Sequence, residues 1–206
     1  MEFLMVTGAT RHLFPAALDA FFQARHLVYA EELGWVPQSI NRRERDQFDS
    51  DSADYLIVLD QGECIAGSRL LPTHVPHLLS EVFPQSCNRV AMPRDPLVAE
   101  WTRGFVVPHR REKGRPVLLA QCCAAVMEHC LARGYRQVGG IQDAKWLPLW
   151  KLMGWQVTLH GDAVLIDGAP WLPAYFEVTE KAMMAARKFG KLDGPALAPS
   201  PAQAAA

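Results

Sequence analysis

Nine side chains in the first half of the sequence are of the types that a reaction site needs: Arg25, Tyr29, Trp35, Asp46, Asp49, Arg69, Phe83, Glu100 and Arg103. Asp46 and Asp49 lie in "RRERDQFDSDSADYLIV", a mixed-charge run that leads directly into an apolar segment. A charge run is ordinarily a solvated loop. Acids close to aromatic faces such as Tyr29 and Trp35 also suit a cationic ligand, because a ring face attracts a cation. Arg69 and Arg103 are suited to clamping a carboxylate or phosphate through a planar fork of donors, and equally to a structural ion pair. Glu100 is a candidate general base, although alone it reads as a solvated strand residue. Phe83 reads first as core.

These residues need a scaffold. "EFLMVT" predicts a first strand, and "LFPAALDAFFQARHLVYAEEL" has helical spacing with Leu18, Phe21, Phe22, Arg25 and Tyr29 close to one side. "ADYLIVLD" and "CIAGSRLLPT" flank a short glycine turn and predict a hairpin. Residues 72–96 are proline-rich and predict a loop with one short helix at "HLLSEVF"; His74 and His77 fall there and are expected to be exposed. "LVAEWTRGFVV" predicts a strand. A helix from Pro116 to Gly134, a strand at "YRQVGGI", a helix at "DAKWLPLWKLMG", strands at "WQVTLHG" and "AVLID", and a helix within "WLPAYFEVTEKAMMAARKFG" follow. From Lys191 the Ala/Pro-rich composition predicts a disordered tail over 191–206, leaving one domain over 1–190. The order implies an α/β sandwich around a mixed sheet.

One feature of the strand at residues 97–107 is geometrically awkward. Glu100 and Thr102 share one face of a regular strand and Trp101 and Arg103 the other. Glu100 and Arg103 reach one pocket only if the strand bulges, and a bulge is predicted near residues 100–104.

The bulk properties exclude several classes. The 206 residues are 50% hydrophobic and 21% charged, with a net charge of -1, which gives no general bias toward nucleic acid or an anionic membrane. No stretch approaches a membrane span, and no signal peptide is read at the N-terminus. Five cysteines without a CxxC pattern suggest neither a disulfide framework nor zinc, and no metal site is expected among the histidines. A reducing cytoplasm is the expected compartment.

The segments "RHLVYAEELGW", "ERDQFDSDSADYLIV", "GSRLLPT", "EVFP" and "EWTR", in this order and spacing, resemble the LuxI-type acyl-homoserine-lactone synthases. The resemblance implies a single-domain sandwich like the GCN5-related acyltransferases, with a mixed, mostly antiparallel sheet packed between helices. It implies transfer of an acyl group from a phosphopantetheine thioester to the amine of S-adenosylmethionine, followed by lactone closure and loss of methylthioadenosine. On that reading Glu100 is catalytic; Arg25, Tyr29, Trp35, Asp46, Asp49 and Arg103 bind S-adenosylmethionine; and Arg69, Phe83, Trp101, Gly104, Arg111 and Gly114 lie on the acyl and phosphopantetheine side. No prosthetic group is implied. S-Adenosylmethionine is a substrate, and the donor is acyl-CoA or acyl carrier protein. A general N-acyltransferase acting on another amine is the alternative, and a ligand-binding sensor of the same fold is a third reading.

The sequence departs from the family pattern in places. Tyr29 stands where Phe is usual. In "EWTRGF", Trp101 replaces a small residue and Gly104 replaces Phe, which suggests a reshaped acyl pocket for a branched, short or aromatic group. "RREKGRP", from Arg110 to Pro116, resembles a pyrophosphate-binding loop before a helix N-terminus. Its arginines, with Arg42, Arg43 and Lys113, equally suit a basic patch for an acidic carrier protein.

Overall fold

The computed structural model describes residues 1–198 with the exception of Arg115. In chain order come β1 (Glu2–Val6), α1 (Pro15–His26), β2 (Asp54–Asp60), β3 (Glu63–Pro72), α2 (Leu78–Val82), β4 (Val98–Val106) and α3 (Val117–Ala132). They are followed by β5 (Gln137–Asp143), α4 (Leu147–Leu152), β6 (Val157–Leu159), β7 (Val164–Ile166), β8 (Ala169–Glu177) and α5 (Glu180–Phe189). The strands form one mixed sheet ordered β1-β2-β3-β4-β5-β8-β6, with β7 also paired to β8.

Strand alternation sorts the side chains onto two faces. Tyr55, Arg69, Glu100 and Thr102 point toward α1 and α2, whereas Asp54, Leu56, Leu70 and Trp101 point the other way. On the second face His129 of α3 meets Asp54 at 2.9 Å. Trp101 there lies 6.1 Å from Trp150 of α4, and Trp150 stacks on Trp155 at 5.3 Å. The β2–β3 hairpin turns through Gln61 and Gly62, both with positive φ, which fits the twist of a two-residue hairpin turn.

One reading is extended and one expectation is corrected. The stretch from Trp171 to Gly190 does contain a helix, α5, but its first residues belong to an unexpected strand, β8, which pairs with β5 over Trp171–Glu177. Pro170 and Pro173 disguised it. Pro173 lacks an N–H, but its carbonyl still accepts from His160 N at 2.8 Å. Residues 191–198, read as the start of a disordered tail, dock instead: Leu192, Ala196 and Leu197 pack on the core. The Glu128 carboxylate, held by Arg187 at 2.8 Å, accepts from Ala196 N and Leu197 N at 2.9 and 3.0 Å. The remainder of that tail, 199–206, lies outside the described residues.

The pairing of β4 with β5 sets the location of the site. The two strands run parallel and are registered only from Val98–Gln137 to Glu100–Gly139. No pairing of β4 with β5 continues past Glu100, so the following N–H groups of β4 on that side are not taken up by the ladder with β5.

Candidate active site

Three cations and three anions meet on the Glu100 face of the sheet, near the end of the β4–β5 pairing. Arg25 and Arg69 are fully buried, and Arg103 keeps 14% of its side chain exposed. The expected bulge brings Arg103 in. Arg69 pairs with Thr102 but Gly67 with Phe105, so β4 carries one extra residue at Arg103–Gly104. Arg103 takes φ +53°, a strained conformation for a residue with a side chain. The bulge turns its guanidinium to the face of Glu100 and Thr102.

The acids come from the loop before β2. That loop is folded by its own side chains: Asp46 N donates to Asp49 Oδ2 at 2.8 Å, and Phe48 N donates to Asp46 Oδ1 at 2.9 Å. Arg25 donates to Glu44 at 2.5 Å and to Asp49 at 2.7 Å. Arg69 donates to Asp46 at 2.5 Å, to Asp49 at 3.0 Å and to Thr102 Oγ1 at 3.3 Å. Arg103 lies 2.8 Å from Asp46 and 3.3 Å from Glu44. The cluster is therefore charge-balanced, as buried charges must be. Burial opposes ionisation of Asp49, but Arg25 and Arg69 outweigh it and lower its pKa to about 2.

Glu44 was missed in the sequence. It stands between Arg43 and Arg45, where an acid reads as surface alternation; the available signal was that three buried arginines require more than two acids. Asp51 and Asp54 of the same run are elsewhere, on Arg11 and on His129.

The aromatic wall is built by the end of the first helix. After α1 the chain winds as a wider π-helical stretch, Leu27–Glu32, and Gly34 at φ +66° reverses it. Trp35 N then donates to the Tyr29 carbonyl at 2.9 Å. The Tyr29 and Trp35 rings lie 5.7 Å apart, and Trp171 closes on Trp35 at 5.4 Å. Tyr29 donates its hydroxyl to the Gly104 carbonyl at 2.9 Å, and the Arg103 guanidinium lies 5.2 Å from its ring. Burial raises the Tyr29 pKa to about 12, so the hydroxyl remains a donor.

Glu100 is fully buried, not a solvated strand residue. Its carboxylate accepts from Leu78 N at 2.9 Å and Leu79 N at 2.6 Å, the first amides of α2. Burial raises its pKa, while His77 and the two amides pull against that rise. His77, expected to be exposed in a proline loop, is fully buried. The reason is that Val75, Ser80 and the Glu100 carboxylate anchor this turn onto the sheet.

The other sequence candidates divide. Phe83 packs with Leu79, Ile141 and Tyr175 in a second apolar cluster. Trp101 faces Trp150 across the sheet from the charge cluster. Arg111 donates to the Val106 carbonyl at 2.9 Å and pairs with Glu32 at 2.5 Å. Gly114 sits at φ +103° in the loop before α3. The arginines of the expected basic patch are largely neutralised: Arg42 pairs with Glu31, Arg43 with Asp19, and Arg110 with Asp60. At the start of α3, Leu118 N donates to Glu112 at 2.9 Å, so the chain's own carboxylate occupies an anion position. Among the described residues no cluster suited to a metal ion occurs, and no helix is long and apolar enough to cross a membrane.

Comparison with known proteins gives this arrangement a family. The model of the autoinducer synthases matches residues 11–183. The isovaleryl-homoserine lactone synthase of Bradyrhizobium diazoefficiens is 35% identical over 86% of this chain and 80% of the relative. An acyl-homoserine-lactone synthase of Ralstonia nicotianae is 32% identical over 80% and 84%. The solved structure of the CoA-dependent synthase BjaI, with S-adenosylmethionine and isopentyl-CoA, superposes at a TM-score of 0.87 and 32% identity, covering 94% of this chain and 91% of that one. A putative N-acetyltransferase from Lactobacillus plantarum, at TM-score 0.57 and 17% identity, shares the fold. The chain belongs to the autoinducer synthase family, the acyltransferases that make acyl-homoserine lactones.

Proposed function

We propose that this enzyme makes an N-acyl-homoserine lactone with a short branched acyl group, taken from acyl-CoA rather than from acyl carrier protein. The observation that carries this reading is the end of the β4–β5 pairing at Glu100, with Trp101 backed by Trp150 next to it. Bulky indoles shorten such a pocket. A relative that is an isovaleryl-homoserine lactone synthase and a solved relative with isopentyl-CoA bound support the same size class. Among the described residues of the expected basic patch, Arg42, Arg43, Arg110 and Arg111 are paired with acids, which reduces the positive surface offered to an acidic carrier protein; Arg115 lies outside the described residues.

The roles follow from exposure. Asp46 and Arg103 are the charged members of the cluster that keep 14% exposure each, and they lie 2.8 Å apart. Together they offer one carboxylate and one guanidinium, matching the ammonium and carboxylate of an amino-acid end. Tyr29 and Trp35 face the sulfonium and adenosyl end. Arg25, Arg69, Glu44 and Asp49 hold these groups in place. Glu100 removes a proton from the nitrogen, and β4 N–H groups left free of the β5 ladder stabilise the developing oxyanion. The nitrogen attacks the thioester carbon, the C–S bond breaks and thiol leaves. The methionyl carboxylate then attacks the carbon bearing the sulfonium, and methylthioadenosine departs. This second step is intramolecular, so holding the chain folded supplies much of its advantage. Both substrates are cytoplasmic metabolites, which supports a cytoplasmic location.

The test mixes purified protein with S-adenosylmethionine and a panel of acyl-CoA and acyl-carrier-protein donors. Stoichiometric thiol and methylthioadenosine, fastest with branched short acyl-CoA, is the expected result. A dominant long straight-chain product overturns the acyl assignment, and a preference for carrier protein overturns the donor. Thiol without methylthioadenosine points to an acyltransferase for another amine.

A further inference from the structure

We propose that His26 is a positioning residue for S-adenosylmethionine: its neutral ring pins to α1 the loop that joins Trp35 to Glu44. The inference deepens the proposed site and rests on Trp35 and the Glu44 cluster receiving that substrate. His26 ends α1 and is 2% exposed. The loop that crosses it is far more open. Residues 33–53 run as turns and irregular backbone, with Trp35 44% exposed and Ile40 fully so. A segment with so little apolar burial opens readily, and its place is set by individual polar tethers.

Three such tethers follow one another along α1 and its π-helical continuation. At the start of the loop Trp35 N donates to the Tyr29 carbonyl at 2.9 Å, and at its end Glu44 N donates to the Phe22 carbonyl at 3.0 Å. Both are backbone bonds, open to many residue types. The middle tether requires a particular side chain: Ser39 N donates to His26 Nε2 at 3.1 Å. A backbone N–H only donates, so Nε2 carries the lone pair and the ring proton sits on Nδ1. Nδ1 lies 3.2 Å from Glu31 Oε1, and the same oxygen lies 2.9 Å from Arg42 Nη2. One neutral ring therefore engages the loop twice, at Ser39 directly and at Arg42 by way of Glu31.

Ser39 is also the point at which the loop folds on itself. Its hydroxyl donates to the Arg43 carbonyl at 2.7 Å and accepts from Arg43 N at 2.9 Å, and its carbonyl accepts from Arg42 N at 2.9 Å. Residues 39–43 thus form one unit, and fixing Ser39 fixes the approach to Glu44. The Glu44 carboxylate in turn holds Arg25 and Arg103. Without an acceptor at position 26 the loop samples other arrangements, and only a fraction of molecules presents Trp35 and the cluster together. The apparent affinity for S-adenosylmethionine falls by that fraction. The tether acts on the binding-competent population, ahead of the chemistry at Glu100, so it changes KM for one substrate and not turnover.

Two variants test this. His26→Phe keeps a ring and removes the acceptor, whereas His26→Gln returns an oxygen to the reach of Ser39 N. For His26→Phe the KM for S-adenosylmethionine should rise roughly two- to tenfold, the net worth of one hydrogen bond, with kcat and KM for acyl-CoA held within about twofold. His26→Gln should bring that KM back to within about twofold of wild type. An unchanged KM in His26→Phe overturns the proposal. So does failure of His26→Gln to recover, or a rise in both KM values with a fall in kcat, the mark of a loosened fold. Trp35→Ala separates the two levels of inference. If it leaves KM for S-adenosylmethionine unchanged, the reading of the site fails; if it raises that KM while His26→Phe does not, only the role of His26 fails. Nitrogen NMR of histidine-labelled wild-type protein needs no variant. A His26 ring protonated on Nδ1 alone supports the proposal, and a proton on Nε2 overturns it.

Discussion

Arg103 and Glu44 lie 59 residues apart and meet at 3.3 Å because β4 holds one residue more than β3 across from it. In a regular strand the Arg103 side chain would point to the face of Trp101, among α3, α4 and the Trp150 indole. The bulge therefore joins the loop before β2 to the catalytic strand. Deleting Gly104 restores the regular ladder and drives the guanidinium into the apolar side. The expected cost is about 3–5 kcal/mol, the range for an uncompensated buried charge, read from denaturant unfolding, together with loss of methylthioadenosine release. A deletion variant with wild-type stability and turnover would show that the bulge does not deliver Arg103.

The balance of the cluster makes it sensitive to acid. Asp49 has its pKa lowered from 3.8 to about 2, against the effect of its own burial, by Arg25 and Arg69. A carboxylate whose folded pKa is depressed contributes stability above its unfolded pKa and loses it as pH falls toward the folded one. The window here runs from about pH 4 down to about 2. Asp49→Asn should be less stable at neutral pH and should flatten the stability–pH slope in that window. Parallel curves for the two proteins would assign the acid sensitivity elsewhere.

Much of this was legible before any coordinates. The hairpin at Gln61–Gly62 followed from apolar runs around a glycine turn, and the bulge followed from asking how Glu100 and Arg103 share a pocket. What escaped had physical causes. β8 was hidden by Pro170 and Pro173, because strand propensity counts a proline against a strand while tolerating it where only the carbonyl is used. Glu44 was hidden by Arg43 and Arg45 on either side. His77 was hidden by its prolines, since local composition says nothing about a carboxylate 23 residues away that buries the turn. Contacts between segments distant in the chain, not local sequence, decided all three.

Tyr29→Phe separates the ring from its hydroxyl. The ring contacts Trp35, Phe105 and Arg103, whereas the hydroxyl reaches only the Gly104 carbonyl at 2.9 Å. Loss of that hydrogen bond should lower stability by about 0.5–1.5 kcal/mol. KM for S-adenosylmethionine should change little, because the aromatic face is kept. A large rise in KM would show that the bond to Gly104 fixes the bulge in its working shape.

Trp101 tests the size of the acyl pocket. It is buried against Trp150 at 6.1 Å, so a smaller apolar side chain opens space on the same wall. Trp101→Leu should shift kcat/KM toward longer straight acyl-CoA donors relative to branched ones, on the order of tenfold per added methylene accommodated. Competition assays with paired donors measure the ratio directly. An unchanged ratio would place the acyl chain elsewhere.

Glu112 holds the position at the start of α3 where a pyrophosphate is expected to bind. Its carboxylate accepts from Leu118 N at 2.9 Å, at the positive end of a 16-residue helix. A CoA donor bound there must displace it, and a like charge left nearby opposes the incoming phosphates. Glu112→Gln keeps the length and the acceptor oxygen but removes the charge. Helix-terminus electrostatics of about 0.3–1 kcal/mol convert to a fall of roughly two- to fivefold in KM for acyl-CoA. An acyl-pantetheine donor has the same thioester and arm without the pyrophosphate, so its KM should not move. Equal falls for both donors would mean that Glu112 acts by shaping the loop, and no fall for either would remove the start of α3 from the donor site.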